Sequence, residues 1–546
     1  MADEIQSFKL VCSGGLNSNQ NHLFLSEAAA GSATRLVNFE PSLYGGYRRI
    51  EGFKLLENLN VAVGGTNAEG KVLCVAIYQN SHIGNPFIIA ARKDVGANTY
   101  KFYKFVSQVG WQVMTNSLTL NTTDGVRTVD KIRHVQWDFG GGSQIAFADG
   151  VNNGIIFDGT NWYQLNNTNT GGTSSPGGDQ IVNAPALVDV FENHLFFGGD
   201  RAQRSVLAHS APNDPFNFMA ANGGAQITPG FNVVQFKPFR DDLFVFGTNS
   251  IKKVSPDVTS GFVLDQVTTN VGCIARDSVL EIGGDLMFLA PDGFRPVSGT
   301  SRIGDVELET ISKSIQVTLV DLIKKYDMDT INGVVIRSKS QVRFFVGDDT
   351  TATVPNSYGI IGGLANKDGG IGWEFGELNG IRASCTTSDY IGRTEFVLHG
   401  DYDGKVYRQE QGTDFNGQDI IAVYATPYLD FGDTEVRKTL RKVNTFVRAE
   451  GPANVFLSMS YDWGDYNTAR PNSYNQASTG GPVEYAGTNI DYGAPNVLYG
   501  GNSKPIMTTD VQGSGFSARA TFVSLGQSEP FSIQGLVFEF SISGRR

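Results

Sequence analysis

Short apolar runs, each introduced by a polar turn, recur through the middle of the chain. The clearest copies read Asn193-His194-Leu195-Phe196-Phe197-Gly198-Gly199, Asp241-Asp242-Leu243-Phe244-Val245-Phe246-Gly247 and Gly284-Asp285-Leu286-Met287-Phe288-Leu289-Ala290. Two of them continue, after a further turn, into a second strand-like run, Ser250 to Ser255 and Gly293 to Ser298. Runs of this kind joined by polar turns predict β-hairpins. The three leucines fall 48 and 43 residues apart. A strand-built repeat of roughly 40–50 residues is the sequence mark of a β-propeller.

Weaker copies extend the pattern. Ser143 to Gly150, Ser340 to Asp348 and Thr394 to Gly400 fit it, and Glu69 to Val75 is a fainter first copy. Their anchors stand at 73, 145, 195, 243, 286, 342 and 396. The irregular spacing describes a degenerate propeller of six or seven blades over residues 57–415. A set of unrelated hairpins in β-sandwich domains is the alternative. One helix interrupts the strands. Between Asp305 and Tyr326, residues Ile311, Ile315, Leu319, Leu322, Ile323 and Tyr326 share one helical face. The acidic start and the Lys324-Lys325 end suit the helix dipole.

The ends of the chain have a different texture. Residues 1–56 read as an N-terminal arm or docking segment, with a short helix or turn at Ser26 to Ser32. An arm reaching the propeller or a neighbour and a first strand of the body are both open readings. After 416 the strands lengthen (Ile420 to Tyr428, Arg441 to Ala449, Val455 to Tyr461, Ala518 to Leu525, Leu536 to Ile542) and predict a separate β-sandwich-like domain over 416–546. Within it, 462–515 is a long Gly-, Asn-, Ser- and Tyr-rich stretch without apolar periodicity. The fold class is therefore all-β: a propeller with one inserted helix, followed by a sandwich.

Composition agrees with that class and narrows the function. Sixty-five glycines and 36 phenylalanines suit turns between aromatic strands. The four cysteines, Cys12, Cys74, Cys273 and Cys385, have neither disulfide-framework nor zinc spacing, which points to synthesis in a reducing compartment. No run of 18 apolar residues and no signal-peptide pattern is present. The net charge of −12 argues against a freely exposed, sequence-independent DNA grip.

Candidate chemistry is sparse. Gly400 to Lys405 has Val406 where a phosphate-binding loop needs a hydroxyl. The six histidines, His22, His82, His134, His194, His209 and His399, stand singly, without metal-ligand spacing. Asp158-Gly159-Thr160-Asn161-Trp162 faintly resembles a sialidase Asp-box turn but lacks its serine lead-in. Asp241-Asp242 is a carboxylate pair at a hairpin turn, where solvated acids are expected. Asn121 and Asn166 open Asn-x-Thr triplets that mean nothing without secretion. No catalytic, cofactor-binding or metal-binding residue is assigned, and an enzyme is not expected.

Several phrases, in order along the chain, resemble the tail nozzle proteins of short-tailed bacteriophages, the tail tubular protein B family. They are Gly14-Gly15-Leu16, Ala33 to Phe39, Arg48-Arg49-Ile50-Glu51-Gly52, Ser210 to Phe218, Leu243 to Ile251, Asp285 to Phe294 and Ile533 to Phe540. The resemblance implies a propeller-bearing virion subunit, made in the bacterial host cytoplasm. It implies a homohexameric ring below the portal and adaptor that conducts DNA out of the capsid. Its implied partners are further copies of itself, the phage adaptor and tail fibre proteins, and viral DNA passing without sequence-specific binding, with the host envelope at the tip. The competing functions are a receptor-binding tail component and a carbohydrate-directed propeller, either lectin or depolymerase. Limited proteolysis is expected to cut first within 462–515, where periodicity is lowest. Cleavage of the blades before that stretch would move the domain boundaries.

Overall fold

The computed structural model describes residues 5–545 apart from 43, 57–61, 65–69, 81–85, 95, 117, 260, 299–309, 348–356, 368–369, 466, 469 and 479–504. Among the described residues, six self-contained antiparallel sheets are blades arranged as a β-propeller. Blade I contains Val72–Tyr78, Phe87–Lys93, Tyr100–Val106 and Gly110–Val113. Blade II contains Arg133–Asp138, Ser143–Ala148, Ile155–Phe157 and Trp162–Gln164. Blade III contains Leu187–Phe191, His194–Gly198, Leu207–His209 and Ala225–Ile227. Blade IV contains Gln235–Phe239, Asp242–Phe246, Ile251–Asp257 and Gly261–Thr268. Blade V has three strands, Leu280–Ile282, Asp285–Ala290 and Gly293–Pro296. Blade VI runs Cys385–Ile391, Thr394–Gly400 and Val406–Gln409, and Phe53–Leu55 adds its fourth strand.

The repeated phrase is the second strand of blades II to VI. Its leucines at 195, 243 and 286 are fully buried, because both faces of a blade pack on neighbouring blades. Its turn is dictated by backbone chemistry. Glu192 and Asn193 both have positive φ, as do Gly283 and Gly284, which matches the two-residue hairpin that follows strand twist. The faint copy at Leu73 differs: it lies in the first strand of blade I, and the second strand there is Phe87–Lys93.

Between blades V and VI stands a meander of Asn332–Ile336, Gln341–Val346, Tyr358–Lys367 and Gly370–Asn379. Its sheet does not end there. Arg35–Val37 joins the outer strand, parallel at Val37 and Glu377, and then pairs antiparallel with Ala422–Ala425. Ala518–Ser524, Ala453–Tyr461 and Tyr474–Ser478 complete nine strands. The facing sheet is built on two long strands, Val436–Ala449 and Phe531–Arg545. Val443, Thr445 and Val447 are buried in alternation along the first of these, as their spacing predicts. Ile5–Val11 pairs with the last strand, from Ile5 opposite Ser541 to Val11 opposite Gly535. The hairpin Phe39–Pro41 and Tyr47–Arg49 lies along the same strand. The segment read as an N-terminal arm thus gives strands to three sheets.

The short helix runs His22–Ala28, earlier than the Ser26 to Ser32 expectation. Asn21 caps it by accepting from the Phe24 N–H at 2.9 Å. In the inserted helix a 3-10 turn at Lys313–Ile315 leads into Gln316–Lys325, with Ile315, Leu319 and Leu322 buried on the shared core. The expected acidic start at 305–309 lies outside the described residues.

A charged cluster is buried where meander, blade VI and sandwich meet. Glu40 accepts from Arg48 at 2.7 Å, Lys339 at 2.9 Å and Arg343 at 2.9 Å. Burial alone would raise the Glu40 pKa, but the cations of Lys339, Arg343 and Arg48 outweigh it and hold the carboxyl far below its usual range. Arg343 also reaches Glu410 at 2.7 Å, and Gln341 completes its cage. Arg343→Ala leaves two buried carboxylates short of a cation and is expected to cost about 3–5 kcal/mol. Urea unfolding measures this, and a loss below about 1 kcal/mol would mean that the cluster behaves as a hydrated surface network.

Candidate functional site: the propeller axis and its basic mouth

The first strand of each blade lines the axis, so its alternate residues set the chemistry there. A cavity of about 180 Å³ lies along it, lined by Cys74, His134, Asp189, Lys237, Asp277 and Cys385 among others. Ion pairs cross this space. Lys237 donates to Asp189 at 2.6 Å. Arg133 grips Asp277 through two hydrogen bonds of 2.8 and 2.7 Å, and Lys131 donates to the same carboxylate at 2.7 Å. Burial would raise the Asp277 pKa, yet Arg133 and Lys131 outweigh it and keep it well below the carboxylate range. Burial pushes Lys131 down, because Asp277 only partly offsets the loss of water. His134 contacts the Cys74 thiol at 3.4 Å. Burial first, and the Lys237 charge second, lower its pKa to about 4.

The axis opens into a wider cavity of about 580 Å³ that shares Lys131 and Arg133 with the first. Arg127, Arg201, Arg204 and Arg276 stand around it, brought by loops before blade II, within blade III and before blade V. Asp130, Asp149 and Asp329 line it too, so six cations face three carboxylates in a chain whose net charge is −12.

Residues singled out in the sequence serve structure instead. Asp158 accepts from the Thr160 and Asn161 N–H groups and from the Tyr163 hydroxyl, which makes it a turn residue. Asp242 takes Lys253 at 2.9 Å and the Ser255 hydroxyl, while Asp241 is exposed. In the stretch Gly400 to Lys405, Asp401 accepts from the N–H groups of Asp403 and Lys405 and closes a tight turn. The four cysteines are buried free thiols. His194 and His209, separate in sequence, meet across blade III with ring centroids 5.0 Å apart, and both contact the Ser210 carbonyl. They pack edge-on against Phe262, which is an aromatic core arrangement. His82 lies outside the described residues. The mouth arginines were the missed feature. The signal was the charged loop Asp200-Arg201-Ala202-Gln203-Arg204, which follows the best copy of the repeat directly.

No protein-family model and no curated protein matches the chain. Among solved structures, it is similar to an ancestral GH74 enzyme at 9% identity and TM-score 0.36, covering 66% of this chain and 51% of that one. It is also similar to the extracellular domain of a hybrid two-component system from B. thetaiotaomicron at 9% identity and TM-score 0.36, covering 68% and 44%. The chain spans about half the length of these structures. Likeness at this level bears on neither activity nor ligand.

His134 gives a pH test. Its folded pKa lies below the ordinary 6.5, so the unfolded chain takes the proton first as pH falls. Its contribution is intact above pH 6.5 and is lost progressively toward pH 4. His134→Gln removes that titration. The stability gap between wild type and variant is expected to shrink between pH 7 and pH 4 in denaturant melts, and a gap constant with pH would refute a buried neutral imidazole.

Proposed function

We propose that the chain is a structural virion subunit, a ring-forming component of the tail nozzle of a short-tailed phage, with no catalytic role. One observation carries most weight: the nine-stranded sheet that runs from the meander through Arg35–Val37 into the sandwich. It joins the two parts by strand hydrogen bonds, where a hinged catalytic module would use a linker. Such a continuous strap suits a part that must hold its shape under load. The nozzle-like phrases Ala33 to Phe39 and Ile533 to Phe540 fall on strands of the two sandwich sheets, Arg35–Val37 and Phe531–Arg545.

A six-fold ring, its number taken from the resemblance, carries six times −12, or −72. An acidic wall repels phosphates and lets DNA slide, with the repulsion screened beyond about 10 Å at 0.1 M salt. A second reading, a carbohydrate-directed propeller, is favoured by the axial mouth, whose volume falls within the roughly 300–1,000 Å³ of ligand pockets.

Light scattering and negative-stain imaging of the purified chain, alone and with the adaptor, decide between them. Closed rings without salt-sensitive affinity for duplex DNA are expected. A persistent monomer that releases oligosaccharides from host capsule would replace the nozzle reading with the carbohydrate-directed one.

A further inference from the structure

Six cations and the carboxylates Asp130, Asp149 and Asp329 line the propeller mouth, and the pairing among them is uneven. Arg127 is answered by Asp124 at 2.6 Å and Asp200 at 3.2 Å. Lys131 and Arg133 share Asp277, and their remaining donors go to the carbonyls of Ile331 and Ala186. These three are each held by a carboxylate. Arg201, Arg204 and Arg276 are different. Arg201 and Arg204 have no carboxylate within ion-pair distance among the described residues, and each makes one long bond to a carbonyl, 3.4 Å to Val126 and 3.3 Å to Arg201. Arg276 has Asp329 at 3.8 Å and the like charges of Arg133 and Arg204 nearby.

The loop that bears two of these arginines is held in place. Asp200 is 2% exposed and accepts from the Ala202 N–H at 2.9 Å while it pairs with Arg127. Gly199, at φ +72, packs so closely on Leu187 that a Cβ there would sit 2.9 Å from its side chain. Three guanidinium forks with unspent donors therefore surround one cavity on a fixed frame.

We propose that the propeller mouth is a binding site for a small multivalent oxyanion of the phosphate or sulfate class, held by Arg201, Arg204 and Arg276. Planar guanidinium forks match tetrahedral oxyanions through paired hydrogen bonds. Arg201 and Arg204 are exposed and Arg276 is half-buried, so their donors are open to an incoming anion, which relieves the mutual repulsion of the cations. The site does not depend on the nozzle reading. Its volume admits a small anion and excludes a duplex.

Calorimetric titration of the full chain with sodium pyrophosphate and with sulfate, at constant ionic strength, tests it. Saturable one-site binding is expected, together with a rise in Tm. R204Q/R276Q should bind at least about tenfold more weakly, with an unchanged circular dichroism spectrum and ligand-free Tm. Asp329→Asn, which removes the carboxylate nearest Arg276, should tighten binding, and Lys9→Gln on the exposed face of the sandwich strand Ile5–Val11 should leave it unchanged. No heat with either anion, or equal affinity in wild type and the double variant, overturns the site. Pyrophosphate binding without sulfate binding assigns it to phosphates, and the reverse assigns it to sulfates.

Discussion

The pairing of the two chain ends governs this molecule. Ile5–Val11 lies against the last strand, Phe531–Arg545, residue by residue. Arg35–Val37 is inserted between a meander strand and a sandwich strand, and Phe53–Leu55 closes blade VI. No single stretch of the sequence can therefore fold into the sandwich or finish the propeller. Blade VI and the two sandwich sheets each receive strands from the beginning of the chain, which covers edges that would otherwise be templates for aggregation.

The buried ions sit where these pairings converge. Glu40 and Arg48 come from the N-terminal hairpin, Lys339 and Arg343 from the meander, and Glu410 from the end of blade VI. Arg49 lies beside them, fully buried, and donates to the carbonyls of Gly526 and Ser528. A buried ion cluster adds little net stability over a well-packed apolar one. It does penalise wrong docking, because any shift of one element leaves a charge unpaired in a dry place. The cluster fixes how the parts meet.

Much of the propeller was legible because its signal is local. The phrase anchored at Leu195, Leu243 and Leu286 writes turn and buried strand within a few residues, and hairpin geometry follows from the turn. Blade I was read out of register because Val72–Tyr78 is apolar throughout, so first and second strands look alike. The roles of Arg35–Val37 and Phe53–Leu55 were illegible for another reason. Three-residue strands carry no periodicity, and their partners lie hundreds of residues away. The mouth arginines were hidden likewise. Each is an ordinary loop cation alone, and only the ring of blades gathers them around one opening.

Antiparallel pairing of Leu10 with Leu536 also sets a clock. A ribosome adding about 5–20 residues per second needs roughly 25–100 s to make the second partner after the first has emerged. For that time the N-terminal strand, of which Leu10 is buried in the finished fold, has no strand partner, while the blades behind it can form one by one. The sandwich can close only once Phe531–Arg545 has been made, in a late step that joins strands far apart in the chain. A change in either of these two strands therefore acts on a late event of folding.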